Sequence, residues 1–342
     1  MLNQLIKMAE NGYLPDSMVK VGIRKLCNER LMWAKEIGEE GIKKNRQEWV
    51  KILKDSPIAL VPEKANEQHY ELPPYFFELV LGKHLKYSSG FWNDKCNTLD
   101  QSEEDMLELS SNHADISDNH EILELGCGWG SFTFYLAKKY KNIKITAVSN
   151  SKDQRKFIQD KCNKLNINNI DVITCDMNDF TTDKKFDRVV SIEMFEHMRN
   201  YKKLLQKIGT FLNDDGKLFV HIFSHKNLVY PYEDNGPGDW MAREFFSGGI
   251  MPSHDLFSYF DDDLSILKDW QISGIHYMKT SYAWLEKMDR NKDEVLSLFK
   301  QTYGNDSSLW FYRWRIFFMA CGEMFGLKDG KEWGVSHYLF RK

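Results

Sequence analysis

The apolar positions of this chain follow two rhythms, and the change from one to the other divides it. Over residues 1–8, and again over 19–37 after the break at Pro15-Asp16, apolar side chains recur every three or four positions, as at Ile23, Leu26, Leu31, Ala34 and Ile37. That spacing predicts amphipathic helices. Residues 43–65 are charged and run into Pro57 and Pro62, predicting a helix followed by a loop. A short helix and a Ser-Gly turn between aromatics are expected over 71–92. From residue 121 onward, short apolar runs alternate with amphipathic stretches. Strands are expected over 122–125, 143–148, 170–174, 186–192 and 217–223, with a helical pattern resuming after 130 and further helices over 152–165 and 201–212. Such alternation predicts an α/β domain with a doubly wound, mainly parallel sheet, whose ligands sit at the carboxyl ends of the strands. A strand over 270–278, helices over 282–303 and 309–325 and a last strand over 333–340 complete the expectation.

One region breaks the rhythm. Residues 225–261 carry Tyr230, Tyr232, Trp240, Phe245, Phe246, Phe257 and Phe260 among glycines and the breakers Pro231, Pro237 and Pro252. A long aromatic insertion in a regular domain reads either as a lid over a substrate pocket or as packing beneath a loop. The expected organisation is an N-terminal helical cap and cofactor-covering segment over 1–100, then a core over 101–342 with 225–268 as the inserted lid.

Composition narrows the class. With 342 residues, 42% of them hydrophobic, the chain can bury a full α/β core and a smaller appended part. A net charge of -4 and the lack of a basic stripe argue against a nucleic-acid partner. Six cysteines without a C-x-x-C pair fit reduced thiols better than disulfides or a zinc site. No apolar run approaches the roughly 18 residues that would span a bilayer, so no membrane insertion is expected and the cytoplasm is the expected compartment.

Chemistry is concentrated in three stretches. In the first, EILELGCGWGS at 121–131, a buried strand turns into a helix through Gly126, Gly128 and Gly130, with the acidic Glu124 inside the strand. Glycines let a backbone pass close beneath a ligand, and the helix start behind them offers free N–H groups. A nicotinamide dinucleotide site would need the spacing G-x-G-x-x-G and a carboxylate about 20 residues on. Here the spacing is G-x-G-x-G, and the next strand ends in Ser149, Asn150 and Ser151, with Gln154 following. The pattern resembles motif I of the S-adenosylmethionine-dependent methyltransferases. That resemblance implies a class I, Rossmann-like fold and S-adenosylmethionine as cofactor. It also implies cofactor contacts at Glu124, Gly126, Gly128 and Gly130, and at Asn150, Ser151 and Gln154 in place of the usual ribose-binding acid. Asp176 and Met177, after the third strand, fall where the adenine would lie; Asp176 equally suits a solvated turn.

The second stretch is Tyr87-Ser88-Ser89-Gly90-Phe91-Trp92, and the third is SIEMFEHMRNY at 191–201. In the third, Glu193, Glu196 and His197 have offsets of three and four, which place them on one side of a helical turn. Two carboxylates and an imidazole could bind a cationic amine and accept its proton, although acidic residues also favour helix N-termini for their own sake. Together these stretches resemble the cyclopropane fatty-acid synthase family and its offshoot, the coclaurine N-methyltransferases, as does Phe246-Ser247-Gly248-Gly249-Ile250-Met251-Pro252-Ser253. The resemblance implies that Tyr87 and Ser88 contact the methionine part of the cofactor and that Glu193, Glu196 and His197 are catalytic. Cyclopropane synthases hold a bicarbonate; Glu196 and His221 match that site, but Ser89 and Leu285 stand where its cysteine and tyrosine are expected. NGYLPDSMVKVGIRKL and YAWLEKMD look more like the N-methyltransferase branch. The expected function is methylation of a small aromatic or alkyl amine, without a metal. Methylation of unsaturated lipid chains is the alternative, and a non-enzymatic cofactor-binding sensor or scaffold the third reading.

Overall fold

The computed structural model describes residues 1–60 and 72–342. The loop expected over 57–65 is therefore described only to Leu60, and the remainder lies outside the described residues.

Seven strands form the central sheet: β1 (Glu121–Leu125), β2 (Lys144–Ser149), β3 (Ile170–Thr174), β4 (Phe186–Ile192), β5 (Leu212–His225), β8 (Ser265–Ser273) and β9 (Trp333–Arg341). Their order is β3-β2-β1-β4-β5-β9-β8. β1 to β5 pair in parallel, whereas β9 runs antiparallel to both of its neighbours. β6 (Tyr230–Pro231) and β7 (Ile250–Met251) make a separate two-stranded ribbon. The helices are α1 (Leu2–Glu10), α2 (Asp16–Asp55), α3 (Pro74–Val80), α4 (Leu99–His113), α5 (Ser131–Lys139) and α6 (Lys152–Leu165). They continue with α7 (Tyr201–Phe211), α8 (Trp240–Glu244), α9 (Gly274–Arg290), α10 (Lys292–Tyr303) and α11 (Ser307–Gly326).

Strand alternation assigns the two faces of the sheet. Successive side chains on a strand point to opposite sides, so Ile122 joins one apolar layer, with Phe132 and Leu136 of α5 and Ile158 of α6. Leu123 and Leu125 join the other, with Leu204, Leu205 and Ile208 of α7. A third cluster joins the ends of β5, β8 and β9, through Phe223, Ile272 and Trp333, to Phe76, Trp284, Trp314 and Phe245 of α3, α9, α11 and the insertion.

Several elements differ from the sequence expectation. The strand expected over 270–278 ends at Ser273, because the Ser273 side chain accepts from Ile275 N and caps the start of α9. The helix expected over 282–303 is two helices that break at Asn291, whose side-chain amide donates to Leu79 O at 2.7 Å. α4 was not expected at all, and β8 begins at Ser265, inside the range given to the lid. α2 bends at Gly38, the single residue of that helix with non-helical angles (φ 65). Its first half is tied to α11 by Arg24–Glu323 and Asp16–Arg315 ion pairs at 2.6 and 2.8 Å. Its second half reaches the start of α7, where Asn200 donates to Lys54 O at 2.8 Å. Among the described residues no helix is long and apolar enough to cross a membrane.

Candidate functional site

β1 carries the chain into a tight turn at its carboxyl end. Gly126 and Cys127 N–H groups both donate to Val148 O of β2, at 2.9 and 3.0 Å, and pin the turn over the sheet edge. The cleft above it is lined by Tyr87, Ser88, Glu124, Gly126, Gly128, Asn150, Gln154, Asp176 and Met177. Gly130 and Ser151 are not in its wall. Gly130, in the left-handed region, starts α5, and Ser151 caps α6 by accepting from Gln154 N. The Glu124 side chain is buried and accepts from Thr133 Oγ1 at 2.5 Å, while burial pushes its carboxyl up to about 7.

The cleft has the features of a site for a polar, nucleoside-like cofactor. A β-carbon on Gly128 (φ +53) would enter open space with no atom within 4 Å. Gln154 Oε1 is fixed by Ser149 Oγ at 2.6 Å, yet its Nε2 is buried without a partner, and so are Ser131 Oγ and Trp129 Nε1. Buried donors without acceptors are costly unless a ligand completes them.

A second cavity of about 370 Å³ adjoins the cleft. Its walls come from Leu5, Ile6 and Ala9 of α1, Ile23 and Leu26 of α2, Tyr230, Tyr232, Trp240 and Phe246 of the insertion, and Trp284 and Phe317 of α9 and α11. Aromatic side chains of the insertion therefore do face a cavity. Tyr87, Glu193 and His197 line both spaces, whereas Glu196 lines only the second.

The junction is built by β4 and the turn after it. Glu193 leaves β4 in the left-handed region (φ 48), a conformation that costs a side-chain-bearing residue energy and persists where its surroundings enforce it. Its N–H donates to His221 O at 2.8 Å, and its carboxylate lies 3.3 Å from His221 Nε2 and accepts from Tyr277 OH at 2.7 Å. The turn that follows, Phe195–His197, is a 3₁₀ turn and not the single α-turn expected. It still brings Glu193, Glu196 and His197 to one cavity mouth. Glu196 is 2% exposed and its Oε2 has no hydrogen-bond partner. Burial first, and the neighbouring Glu193 charge second, hold its carboxyl well above the usual range. Burial likewise raises Glu193, against the pull of Lys86 and Tyr277. The half-buried His197 ring leans on Phe246 at 4.7 Å, and burial pushes it down to about 4.

Sequence reasoning missed two of the groups around this mouth. Lys86 is fully buried, donates to Ser89 O at 2.8 Å and to Ser88 Oγ, and is lowered by burial. A lysine amid aromatics, directly before Tyr87-Ser88, was the available signal. Tyr277 was obscured by the expectation of a strand over 270–278.

Comparison with known proteins accords with this geometry. The sequence profile described as mycolic acid cyclopropane synthetase matches residues 61–331. (S)-coclaurine N-methyltransferase of Thalictrum flavum subsp. glaucum is 37% identical over 99% of this chain and 95% of its own length. Pavine N-methyltransferase of the same plant is 34% identical over 99% of this chain and 96% of its own. Among solved structures, coclaurine N-methyltransferase bound to N-methylheliamine and SAH superposes with a TM-score of 0.96 at 35% identity, covering 99% of each chain.

Proposed function

We propose, from the premise that this chain belongs to the mycolic acid cyclopropane synthetase family and is an S-adenosylmethionine-dependent N-methyltransferase, that its acceptor is a small amine carried in the apolar cavity as an ammonium ion. The observation that carries this reading is Glu196: a buried carboxylate with an unpartnered oxygen in an aromatic cavity, beside a second buried carboxylate. Burial and Glu193 hold that carboxyl toward its neutral form, and a bound ammonium would supply the missing donor and the opposite charge that favours its ionisation. When bound in the cleft, S-adenosylmethionine supplies an electrophilic methyl group. The cleft residues given above, with Gly130 and Ser151 shaping it from behind, would hold it against the cavity mouth.

The chain's own groups divide the rest of the work. Glu196 anchors the cation, and the aromatic walls exclude water and orient the nitrogen. A protonated nitrogen has no lone pair, so its proton has to leave. By its ordinary value an imidazole would be the natural base, but at about 4 His197 holds a proton poorly at neutral pH. Glu193, raised by burial toward neutrality and in reach of both spaces, is the better-matched acceptor. His197 then orients the amine as a neutral ring. The test is incubation with methyl-labelled S-adenosylmethionine against a panel of primary and secondary amines and, separately, unsaturated phospholipid vesicles, with and without bicarbonate. Label in an amine, independent of bicarbonate, is expected; label in lipid that depends on bicarbonate would overturn the reading.

A further inference from the structure

Methyl transfer to a neutral amine forms an N–C bond and breaks an S–C bond, whose electron pair stays on sulfur. The amine arrives as an ammonium ion and leaves as a methylated ammonium ion, so the proton taken from it before the transfer stays behind on Glu193, and each turnover releases one proton. That proton starts at a mouth that, on the reading above, cofactor and substrate fill together. The Glu193 side chain is 9% exposed, and the adjoining cavity is walled by aromatic and aliphatic groups. An exit is needed that does not run through the substrate.

We propose that His221, His337 and His113 form a relay that carries this proton from Glu193 to the surface beside α4. The relay rests on the amine-methylation reading above, because that reaction generates the proton. His221 Nε2 lies 3.3 Å from Glu193 Oε1, and His221 Nδ1 is 2.8 Å from His337 Nε2. His337 Nδ1 is in turn 2.9 Å from Nδ1 of His113. The fold places them in line. His221 of β5 and His337 of β9 are cross-strand partners in the antiparallel register. His113 is the last residue of α4, partly exposed, with its ring stacked on Trp270 of β8 at 3.9 Å and 8°.

Three features separate a relay from ordinary packing. Both ring nitrogens of each of the two buried histidines, His221 and His337, are used along the line, in through one and out through the other. A neutral imidazole has one N–H and one lone pair, so the three rings can share one polarity, taking a proton at the Glu193 end while giving one up at the next ring. Filling the space between β5 and β9 alone would call for apolar side chains, which carry no desolvation cost. The surrounding charges also suit neutral rings. Lys86 faces His221 and His337, Lys268 faces His113, and Glu193, itself bonded by Tyr277, is the anion at the inner end. Burial first, then Lys86 for His221 and the neighbouring histidines and Lys86 for His337, hold both rings well below the usual histidine range, so no ring keeps the charge and blocks the line.

The test uses His337→Gln, which can still hydrogen-bond to both neighbours but cannot pass a proton, and His113→Ala at the open end. His337→Gln should lower kcat at least about tenfold, and at most by the roughly 10²–10⁴-fold typical of a removed proton-transfer group. KM for the amine and SAH affinity by calorimetry should stay within about twofold, and the solvent isotope effect on kcat should rise. His113→Ala should lose kcat similarly and regain it as imidazole is added to the buffer, because a diffusible base can reach that end. A readout independent of turnover is 15N-histidine NMR, where coupling across the His221–His337 N–H···N bond is expected in the wild type and not in His337→Gln. The relay is overturned if the coupling is missing in the wild type. It is equally overturned if the wild type methylates amines while kcat in His113→Ala neither falls nor responds to imidazole, and that arm holds even where His337→Gln misfolds. A wild type that methylates no amine would instead count against the amine reading, and the relay would fall with it, whereas a missing coupling or an indifferent His113→Ala in an active enzyme counts against the relay alone.

Discussion

Glu193 has Lys86 and the Tyr277 hydroxyl beside it, and both pull its carboxyl downward, yet the loss of water around it raises it further than they lower it. His197, a few residues away in the same mouth, is pushed the other way by the same burial. Desolvation always penalises the charged form, so it brings an acid up and a base down, and on the proposed mechanism it exchanges the roles that ordinary pKa values would assign. The sign of the pH dependence follows. A carboxyl is unable to accept a proton below its pKa, so kcat/KM should fall as pH drops through the raised Glu193 value, well above the usual carboxylate range. Glu193→Gln should remove that acid limb and lower kcat by roughly 10²–10⁴-fold. His197→Ala should keep the limb, because a group at about 4 titrates below it. The pH–rate profiles of the two variants beside wild type, with an amine whose own pKa exceeds about 9 so that its titration falls elsewhere, are the check. A limb lost with His197 and kept without Glu193 would return the base role to the histidine. Glu193, Glu196 and His197 were legible in the sequence because they fall within five positions and act together wherever that turn goes. Lys86, Tyr277 and His337 were not, because their nearness to Glu193 is a product of tertiary folding.

At the scale of elements, legibility followed the strength of the period. β3, β4 and α6 end where the apolar runs end, since a short buried run between polar residues leaves little choice of register. The segment after Trp270 alternates in a way that a strand and the first turn of a helix can both satisfy, and only the Ser273 cap and Gly274 mark where the helix begins. That junction positions Tyr277, one turn into α9, against Glu193. Gly274 is there for space: a β-carbon would come within 2.1 Å of Trp333 O and 2.2 Å of Phe325 O, both backbone atoms without freedom to move aside. Gly274→Ala is therefore expected to cost about 1–3 kcal/mol, as for other overpacked sites. It should lower Tm by several degrees and also lower kcat, since α9 would have to shift and carry Tyr277 with it. Calorimetric melts with single-turnover rates test this, and an unchanged Tm would mean that the β9 and α11 backbones yield.

At the scale of the molecule, the two spaces that meet at Glu193 are built from different parts of the chain. The cleft proposed for the cofactor is framed mainly by the carboxyl ends of the sheet and the segment before it, whereas the cavity proposed for the amine is walled by the first helices, the insertion and the last long helices. The sequence showed both sets of elements but not that the first ten residues wall a site formed more than two hundred residues later. Glu10 links these parts. It is 8% exposed, accepts from Trp240 Nε1 at 3.0 Å and pairs with Arg313 Nε at 2.9 Å, so one carboxylate ties α1 to both α8 and α11. Arg313 keeps a second partner in Glu244 at 2.8 Å, so loss of Glu10 leaves no buried cation stranded, and the effect should fall on α1. Hydrogen bonds to a charged group contribute about 1.5–3 kcal/mol. Glu10→Ala should consequently weaken the docking of α1 and raise KM for the amine up to roughly tenfold, the equivalent of about 1.4 kcal/mol. SAH affinity should be unchanged, because no residue of α1 lines the cofactor cleft. Hydrogen exchange over residues 2–10 should speed up in parallel with the rise in KM. A loss of SAH affinity equal to the loss of amine affinity would show instead that the two spaces are held as one unit, with α1 supporting the sheet and not only the cavity wall.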